Sequence, residues 1–445
     1  MNRRDFLKTG ASASAFLLAT PAWCAENQNL SADPGEILKE APGRIAKCRM
    51  GEGTVVARNA KGKPVRGAKV TIEQLRHDFL FGSNLFQFGH CGTPEQEEQY
   101  RQRFTALFNY CTLGFYWAGF EPERGKPNYD YIDKVVEWAR AQQVTCKGHP
   151  LVWDHPASSP RWLPDDQQEI AKLSDARVQE IVARYKGRID VWDVVNEATH
   201  LPQGVNQTKM AKWGAALGSA PYVAHPLRIA RAANPQARLV VNDYRTDPPY
   251  LQLLEQVTAQ GKSLFDIVGI QSHMHDAVWP TNKVWEICDT YQRLGLPIHF
   301  TETTILSGSR QGPGENWNKT DPEAEAKQAE QTAALYTTLF SHPAVQAVTW
   351  WDFSDYHAWQ GAPAGWVRDD MSPKPVYHRL KDLVRKQWWT KTTGVTDKEG
   401  RFSTRAFFGT YKITVQTEHT RAITLTSSQE VQWQRGQTNQ FEFRI

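Results

Sequence analysis

At 445 residues, with 40% hydrophobic side chains and a negative mean hydropathy, the chain has room for one large barrel plus a smaller domain. A formal charge of +4 leaves no footprint for nucleic acid. The six cysteines are scattered without metal-ligand spacing, which argues against a zinc centre and for small buried thiols rather than a disulfide framework.

The first 25 residues read as an export signal. Asn2-Arg3-Arg4-Asp5-Phe6-Leu7-Lys8 resembles the twin-arginine consensus, a weakly apolar run from Ala11 to Thr20 follows, and Ala22-Trp23-Cys24 offers a cleavage site before Ala25. Trp23 is too bulky to precede a lipidated cysteine, so Cys24 is not taken as a lipid anchor. The expectation is folding before transport, then a periplasmic or extracellular protein with no membrane attachment after processing. Removal of Arg3, Arg4 and Lys8 with Asp5 leaves a formal charge of about +2. Residues 26–45 are polar and are expected to be a flexible lead-in.

Residues 46–78 turn β-like. Thr54-Val55-Val56-Ala57 leads through an Asn59–Lys63 turn into the alternating Ala68-Lys69-Val70-Thr71-Ile72. Residues 389–445 read the same way, with a turn at Asp397-Lys398-Glu399-Gly400 and alternation in Tyr411-Lys412-Ile413-Thr414-Val415. Gly62–Val70 and Thr396–Phe402 resemble the opening and later parts of carboxypeptidase-regulatory-like sandwiches. The two chain ends are therefore expected to make one small accessory β-sandwich, with residues 79–388 inserted between them.

Within 79–388, apolar segments alternate with helical stretches, the pattern of a parallel α/β sheet. Candidate strands are Phe79–Asn84, Tyr110–Trp117, Thr145–Trp153, Val191–Glu197, Leu239–Asp243, Ile267–His273, Ile298–Glu302 and Ala347–Phe353. Helices are expected over Ile132–Ala141, Asp175–Tyr185 and Pro322–Phe340. Eight strand–helix units in about 300 residues predict a (β/α)8 TIM barrel.

Two of these strands end in carboxylates. Ile189-Asp190-Val191-Trp192-Asp193-Val194-Val195-Asn196-Glu197 has an apolar body and a polar C-terminal end, and so has Leu296-Pro297-Ile298-His299-Phe300-Thr301-Glu302. Barrel enzymes carry their chemistry at the C-terminal ends of the strands, and two glutamates delivered there suit glycoside hydrolysis with an acid/base and a nucleophile. His149, Trp153, Asp154, Asn196, Asn242, Asp243, Gln271, His273, Trp350, Trp351 and Asp355 fall at the other predicted strand ends. A lone glutamate after an apolar run is more often a capping residue; polar chemistry at several strand ends at once is harder to explain that way.

From about Phe79 to Leu383 the chain resembles glycoside hydrolase family 10, the endo-β-1,4-xylanases. The resemblance is carried in order by Glu121-Pro122-Glu123-Arg124-Gly125, Gly148-His149-Pro150-Leu151-Val152-Trp153, Trp192-Asp193-Val194-Val195-Asn196-Glu197, Asn242-Asp243-Tyr244, Gly269-Ile270-Gln271-Ser272-His273, Thr301-Glu302 and Pro373-Lys374-Pro375-Val376-Tyr377. It implies that Glu197 is the acid/base and Glu302 the nucleophile. The carboxyl groups should then stand about 5–5.5 Å apart and the anomeric configuration should be retained. It further implies that Asn196 bonds the sugar 2-hydroxyl, that Gln271 and His273 orient the nucleophile or its sugar, and that His149 binds sugar. Trp350, Trp351 and Trp359 are candidates for a stacking wall, with a core role equally open for each. Trp153, Tyr116, Trp117 and Asp154 complete the expected substrate site. The partner is a polysaccharide or oligosaccharide, and no cofactor or metal is implied.

The chain departs from the family where strand two usually ends Glu-Asn-x-x-Lys-Trp. Thr112, Leu113 and Tyr116 stand in the Glu, Asn and Lys positions, and Asp154 replaces a histidine. Polar sites discriminate sharply among substrates, so a decorated xylan or another β-glycan is expected in place of ordinary linear xylan. Two other readings remain. One is a non-catalytic glycan-binding barrel. The other is a metal-dependent hydrolase using His149, His273 and His275, against which the first strand offers no ligand pair.

Overall fold

The computed structural model describes residues 33–259, 261–311, 317, 320–420 and 423–445. The expected export segment lies outside them. The barrel strands run Leu80–Asn84, Tyr110–Gly114, Thr145–His149, Val191–Asn196, Arg238–Asp243, Ile267–Met274, Ile298–Ile305 and Val345–Trp350. Each lies parallel to its neighbours, and the eighth returns to the first through Ala347↔Leu80. Closure falls between strands three and four, where Lys147 pairs with Val191 and Gly148 with Trp192. A Cβ on Gly148 would lie 2.1 Å from the Trp192 ring, so the closure requires that glycine.

The strands formed where apolar density was greatest. Val191–Asn196 is buried at every position, as expected for a parallel strand covered on both faces. Helices Tyr129–Ala141, Gln167–Arg184 and Pro322–Ser341 cover three of the strands, each opened by an Asn or Asp side chain that caps free N–H groups. Among the described residues no helix is long and apolar enough to cross a membrane. Cys48, Cys91, Cys111, Cys146 and Cys288 are buried and not bridged by disulfides.

The two chain ends do make one sandwich. Strand Met50–Arg58 pairs antiparallel with Arg401–Phe407 and parallel with Asn439–Arg444. Strand Lys69–His77 lies between Lys391–Val395 and Gly409–Thr420, with Ile423–Trp433 beyond. Val55, Val70, Ile72, Tyr411, Ile413, Trp433 and Phe443 form its core. The sandwich seats on the N-terminal face of the barrel. The Asp78 N–H bonds the Phe408 carbonyl, Arg76 reaches the Gln143 carbonyl just before strand three, and the buried His77 ring packs edge-on against Phe81, Phe340, Trp389 and Phe407.

One expectation is corrected. Part of the segment read as a flexible lead-in is a helix, Pro34–Arg49, capped by Asp33. Ile37, Ala41, Ile45 and Cys48 recur along one face and are buried, and the helix packs on Thr281–Gln292 and Pro322–Ser341. Arg49, at its end, donates to the Phe340, His342 and Val345 carbonyls at 2.7, 2.6 and 2.8 Å.

Candidate active site

A cleft of about 820 Å³ opens at the C-terminal face, lined by both glutamates. Glu302 is the fifth residue of strand seven and Glu197 follows strand four directly, at φ 58° and ψ 37°. This left-handed backbone is uncommon for a side chain of that size. Its N–H is fixed by the Asn242 carbonyl at 2.8 Å, which turns the side chain toward the barrel axis rather than onward along the strand.

The Glu197 carboxyl receives neutral donors. Gln271 Nε2 donates to Oε1 at 2.9 Å, Asn196 Nδ2 to the same oxygen at 3.2 Å, and Trp153 Nε1 to Oε2 at 3.1 Å. Burial, with the charges of Glu302 and Asp243 nearby, outweighs the Gln271 hydrogen bond and pushes its pKa up to about 7.

Glu302 is met by two imidazoles and an amide. His273 Nε2 lies 3.2 Å from Oε2, His149 Nε2 lies 3.9 Å from Oε1, and Asn242 Nδ2 donates to Oε1 at 2.7 Å. Behind His149 stands a buried chain: His149 Nδ1 meets Asp193 Oδ2 at 2.8 Å, and Lys147 Nζ meets the same oxygen at 2.6 Å. Burial alone would raise the Glu302 pKa, but His149, His273 and Lys147 outweigh it and hold the carboxyl below its ordinary value. The two glutamates are joined through amides. Asn242 Nδ2 also donates to Asn196 Oδ1 at 2.8 Å, and Thr301 Oγ1 fixes the Asn242 amide orientation by donating to its oxygen.

His149, Asn196, Gln271, His273, Trp153, Tyr116, Trp351 and Trp359 therefore share one cleft with Glu197 and Glu302. Trp117, Trp350 and Asp154 do not line it. Trp117 is 2% exposed and bonds Glu121; Trp350 is fully buried against Tyr336 and Trp366. Adjacent strand residues point to opposite faces, so with Trp351 toward the cleft Trp350 must enter the helix layer. Asp154 is turned aside to bond His200 at 3.0 Å and Asn206 at 3.0 Å. Of the substituted strand-two positions, Thr112 and Leu113 are buried away from the cleft and Tyr116 alone reaches it.

Sequence reading missed Phe86, Gln87, His90, His155, Tyr244, Trp279, Asp352 and His357 as cleft residues. Most sit in loops after the strands, where no periodicity marks them. Asp352 directly follows Trp351 and was within reach of the strand-end argument. Among the described residues no group of three or more His, Cys, Asp or Glu side chains is placed to hold a metal ion; His149 and His273 are committed to Asp193, Thr304 and Glu302.

The family model for glycosyl hydrolase family 10 matches residues 78–383. The chain is 27% identical to the anti-sigma-I factor RsgI6 of Acetivibrio thermocellus, over 85% of this chain and 46% of that protein. It is 26% identical to endo-1,4-beta-xylanase B of Thermotoga neapolitana, over 69% of this chain and 88% of that one. It spans less than half the length of the anti-sigma factor and of endo-1,4-beta-xylanase 3 of Arabidopsis thaliana. Among solved structures, a GH10 protein of Paenibacillus barcinonensis superposes with a TM-score of 0.59 at 25% identity, covering 69% of this chain and 95% of that one. Xylanase 10B of Thermotoga petrophila, in complex with xylobiose, shares the fold with a TM-score of 0.58 at 24% identity, over 70% and 95%.

Proposed function

The chain belongs to glycosyl hydrolase family 10, and on that footing we propose that it is a retaining glycoside hydrolase with Glu197 as acid/base and Glu302 as nucleophile. The observation that carries this reading is the split between the carboxyl groups: one is raised to about 7 and the other is held low, within a single cleft. Near neutral pH the first carries a proton for the glycosidic oxygen while the second is free to attack the anomeric carbon. Once Glu302 is consumed in the glycosyl ester, its charge no longer raises Glu197, which then serves as the base that activates water. Asn196, held by Asn242 and Gln271, is placed to bond the hydroxyl next to the reacting carbon.

The substrate proposed is a β-linked glycan of xylan type, linear or decorated. Proteins similar to this chain bear the name endo-1,4-beta-xylanase, and the stacking rings Trp351 and Trp359 suit a sugar face. Export through the twin-arginine route is proposed on sequence alone. A glycan-binding barrel without turnover is the second reading, and one experiment separates the two.

The test is hydrolysis of linear xylan, glucuronate- and arabinose-decorated xylans, β-glucans and aryl β-glycosides by the purified protein, with Glu302→Ala as control. Cleavage lost in the variant supports the enzyme. Glycan affinity without turnover, unchanged in Glu302→Gln, supports the binding barrel.

A further inference from the structure

Glu197 leaves strand four on a turn that is tied from both sides. It opens the short helix Ala198–Gln203 with a left-handed backbone, a conformation that persists only where its surroundings fix it. On one side the Thr199 N–H donates to Asp243 Oδ2 at 3.1 Å, at the end of strand five. On the other, His200 Nε2 reaches Asp154 Oδ1 at 3.0 Å and Oδ2 at 3.1 Å. Asn206 Nδ2 donates to Asp154 Oδ1 at 3.0 Å, and Thr208 Oγ1 donates to the Asp154 carbonyl.

Asp154 belongs to the loop after strand three, next to the indole that meets the Glu197 carboxyl. Trp153 Nε1 donates to Glu197 Oε2 at 3.1 Å, and His155 stacks on the Trp153 ring at 4.2 Å. Asp154 and His200 are 2% and 3% exposed and neither lines the cleft, so any part they play in catalysis passes through their neighbours. A buried carboxylate needs a compensating partner, and the imidazole supplies it. Burial alone would lower the His200 pKa, but Asp154, with the charges of Glu197 and Asp243, outweighs it and raises the value. His200 Nδ1 has no hydrogen-bond partner among the described residues, which leaves Asp154 to orient the ring.

We propose that Asp154 and His200 are positioning residues for the acid/base: their buried contact locks the loops after strands three and four together and so holds the Glu197 carboxyl, with its Trp153 indole, in line with the glycosidic oxygen. The pair touches no sugar and serves proton delivery alone. The departure from the family at Asp154 is then matched by its partner His200 and belongs to the acid rather than to substrate binding. The proposal rests on the assignment of Glu197 as acid/base and deepens it.

The experiment compares kcat/KM of the full chain for phenyl and dinitrophenyl β-xylobiosides. Phenolate leaves only with help from an acid, whereas dinitrophenolate needs no proton, so the ratio of the two reads proton delivery. His200→Phe keeps a ring but removes the donor. Asp154→Leu/His200→Phe removes both polar partners and so leaves no buried charge unpaired. His200→Gln keeps a donor for Asp154. In His200→Phe and in the double variant, kcat/KM should fall at least about tenfold on the phenyl substrate and stay within about threefold on the dinitrophenyl one. His200→Gln should stay within about threefold of wild type on both. Equal losses on the two substrates, no loss on either, or a phenyl-specific loss that His200→Gln does not spare overturns the positioning role while leaving the hydrolase intact. Glu197→Gln is the reference: if it loses nothing more on phenyl than on dinitrophenyl, or if wild type turns over neither, the assignment of Glu197 falls and the proposal with it. Thermal melts establish which variants are folded, and the double variant carries the test if His200→Phe is not.

Discussion

Glu197 is met by an indole and two amides, Glu302 by two imidazoles and, behind one of them, a buried aspartate and lysine. The same side chain, lodged twice in one cleft, is thereby given two protonation states. Neutral donors do little to offset the cost of burying a charge, so Glu197 keeps its proton. Opposite charges nearby reverse that cost, so Glu302 gives its proton up. The fold makes this difference at little expense, because it needs only distinct neighbours at the ends of strands four and seven.

The most severe way to break the contrast is to delete one member. Glu302→Ala is expected to lower kcat on the order of 10⁵-fold, since no group replaces a nucleophile. Azide should restore turnover of activated aryl glycosides. Glu197→Gln should lower kcat/KM about 10²–10⁴-fold for sugars with poor leaving groups and far less for nitrophenyl glycosides, which need no proton.

The contrast also fixes the pH profile. On the proposed assignment activity needs Glu197 protonated and Glu302 ionised, so kcat/KM should fall as pH rises through about 7 and should fall on the acid side only below the ordinary carboxylate value. Lys147→Met removes the cation behind Asp193 and His149. The acid limb should then move upward, and stability should drop by about 3–5 kcal/mol, because Asp193 is left buried without its cation. Denaturant titration and a pH–rate series measure the two effects separately.

A smaller effect appears in stability. Folding raises the Glu197 pKa, so the stabilisation its proton supplies is complete below about 4.3 and is lost as pH climbs through about 7. Glu197→Gln should therefore melt about 5 °C higher than wild type at pH 8, with the difference vanishing toward pH 4. The least effect on activity should come from the sandwich at the far end of the barrel. A Cβ at Gly53 would fall 2.2 Å from the Trp433 ring, so Gly53→Ala should cost about 1–3 kcal/mol while leaving kcat within about twofold.

Much of this was legible before the structure. The eight strands declared themselves because parallel barrel strands are apolar on both faces, and the glutamate pair because each interrupts such a run. The sandwich could be assembled from both ends because alternation and turn residues are local signals. What escaped depended on distant partners. The helix Pro34–Arg49 contains Gly35, Pro42 and Gly43, and its sparse apolar face has meaning only against Pro322–Ser341. Trp117 and Trp350 were indistinguishable from cleft aromatics because residue type does not say which face a side chain takes. Asp154 was drawn off by His200 and Asn206, some 50 positions away along the chain. Gln87 and Asp352 lie in loops, whose positions the barrel sets and no pattern announces.

The most direct test of the central claim is proton NMR of the anomeric products during the first minutes of xylo-oligosaccharide hydrolysis, with Glu302→Ala as the blank. Two displacements by Glu302 and then water predict that the β-anomer appears first and mutarotates to the equilibrium mixture. Initial release of the α-anomer, or undiminished release from Glu302→Ala, would contradict the assignment of Glu302 as nucleophile.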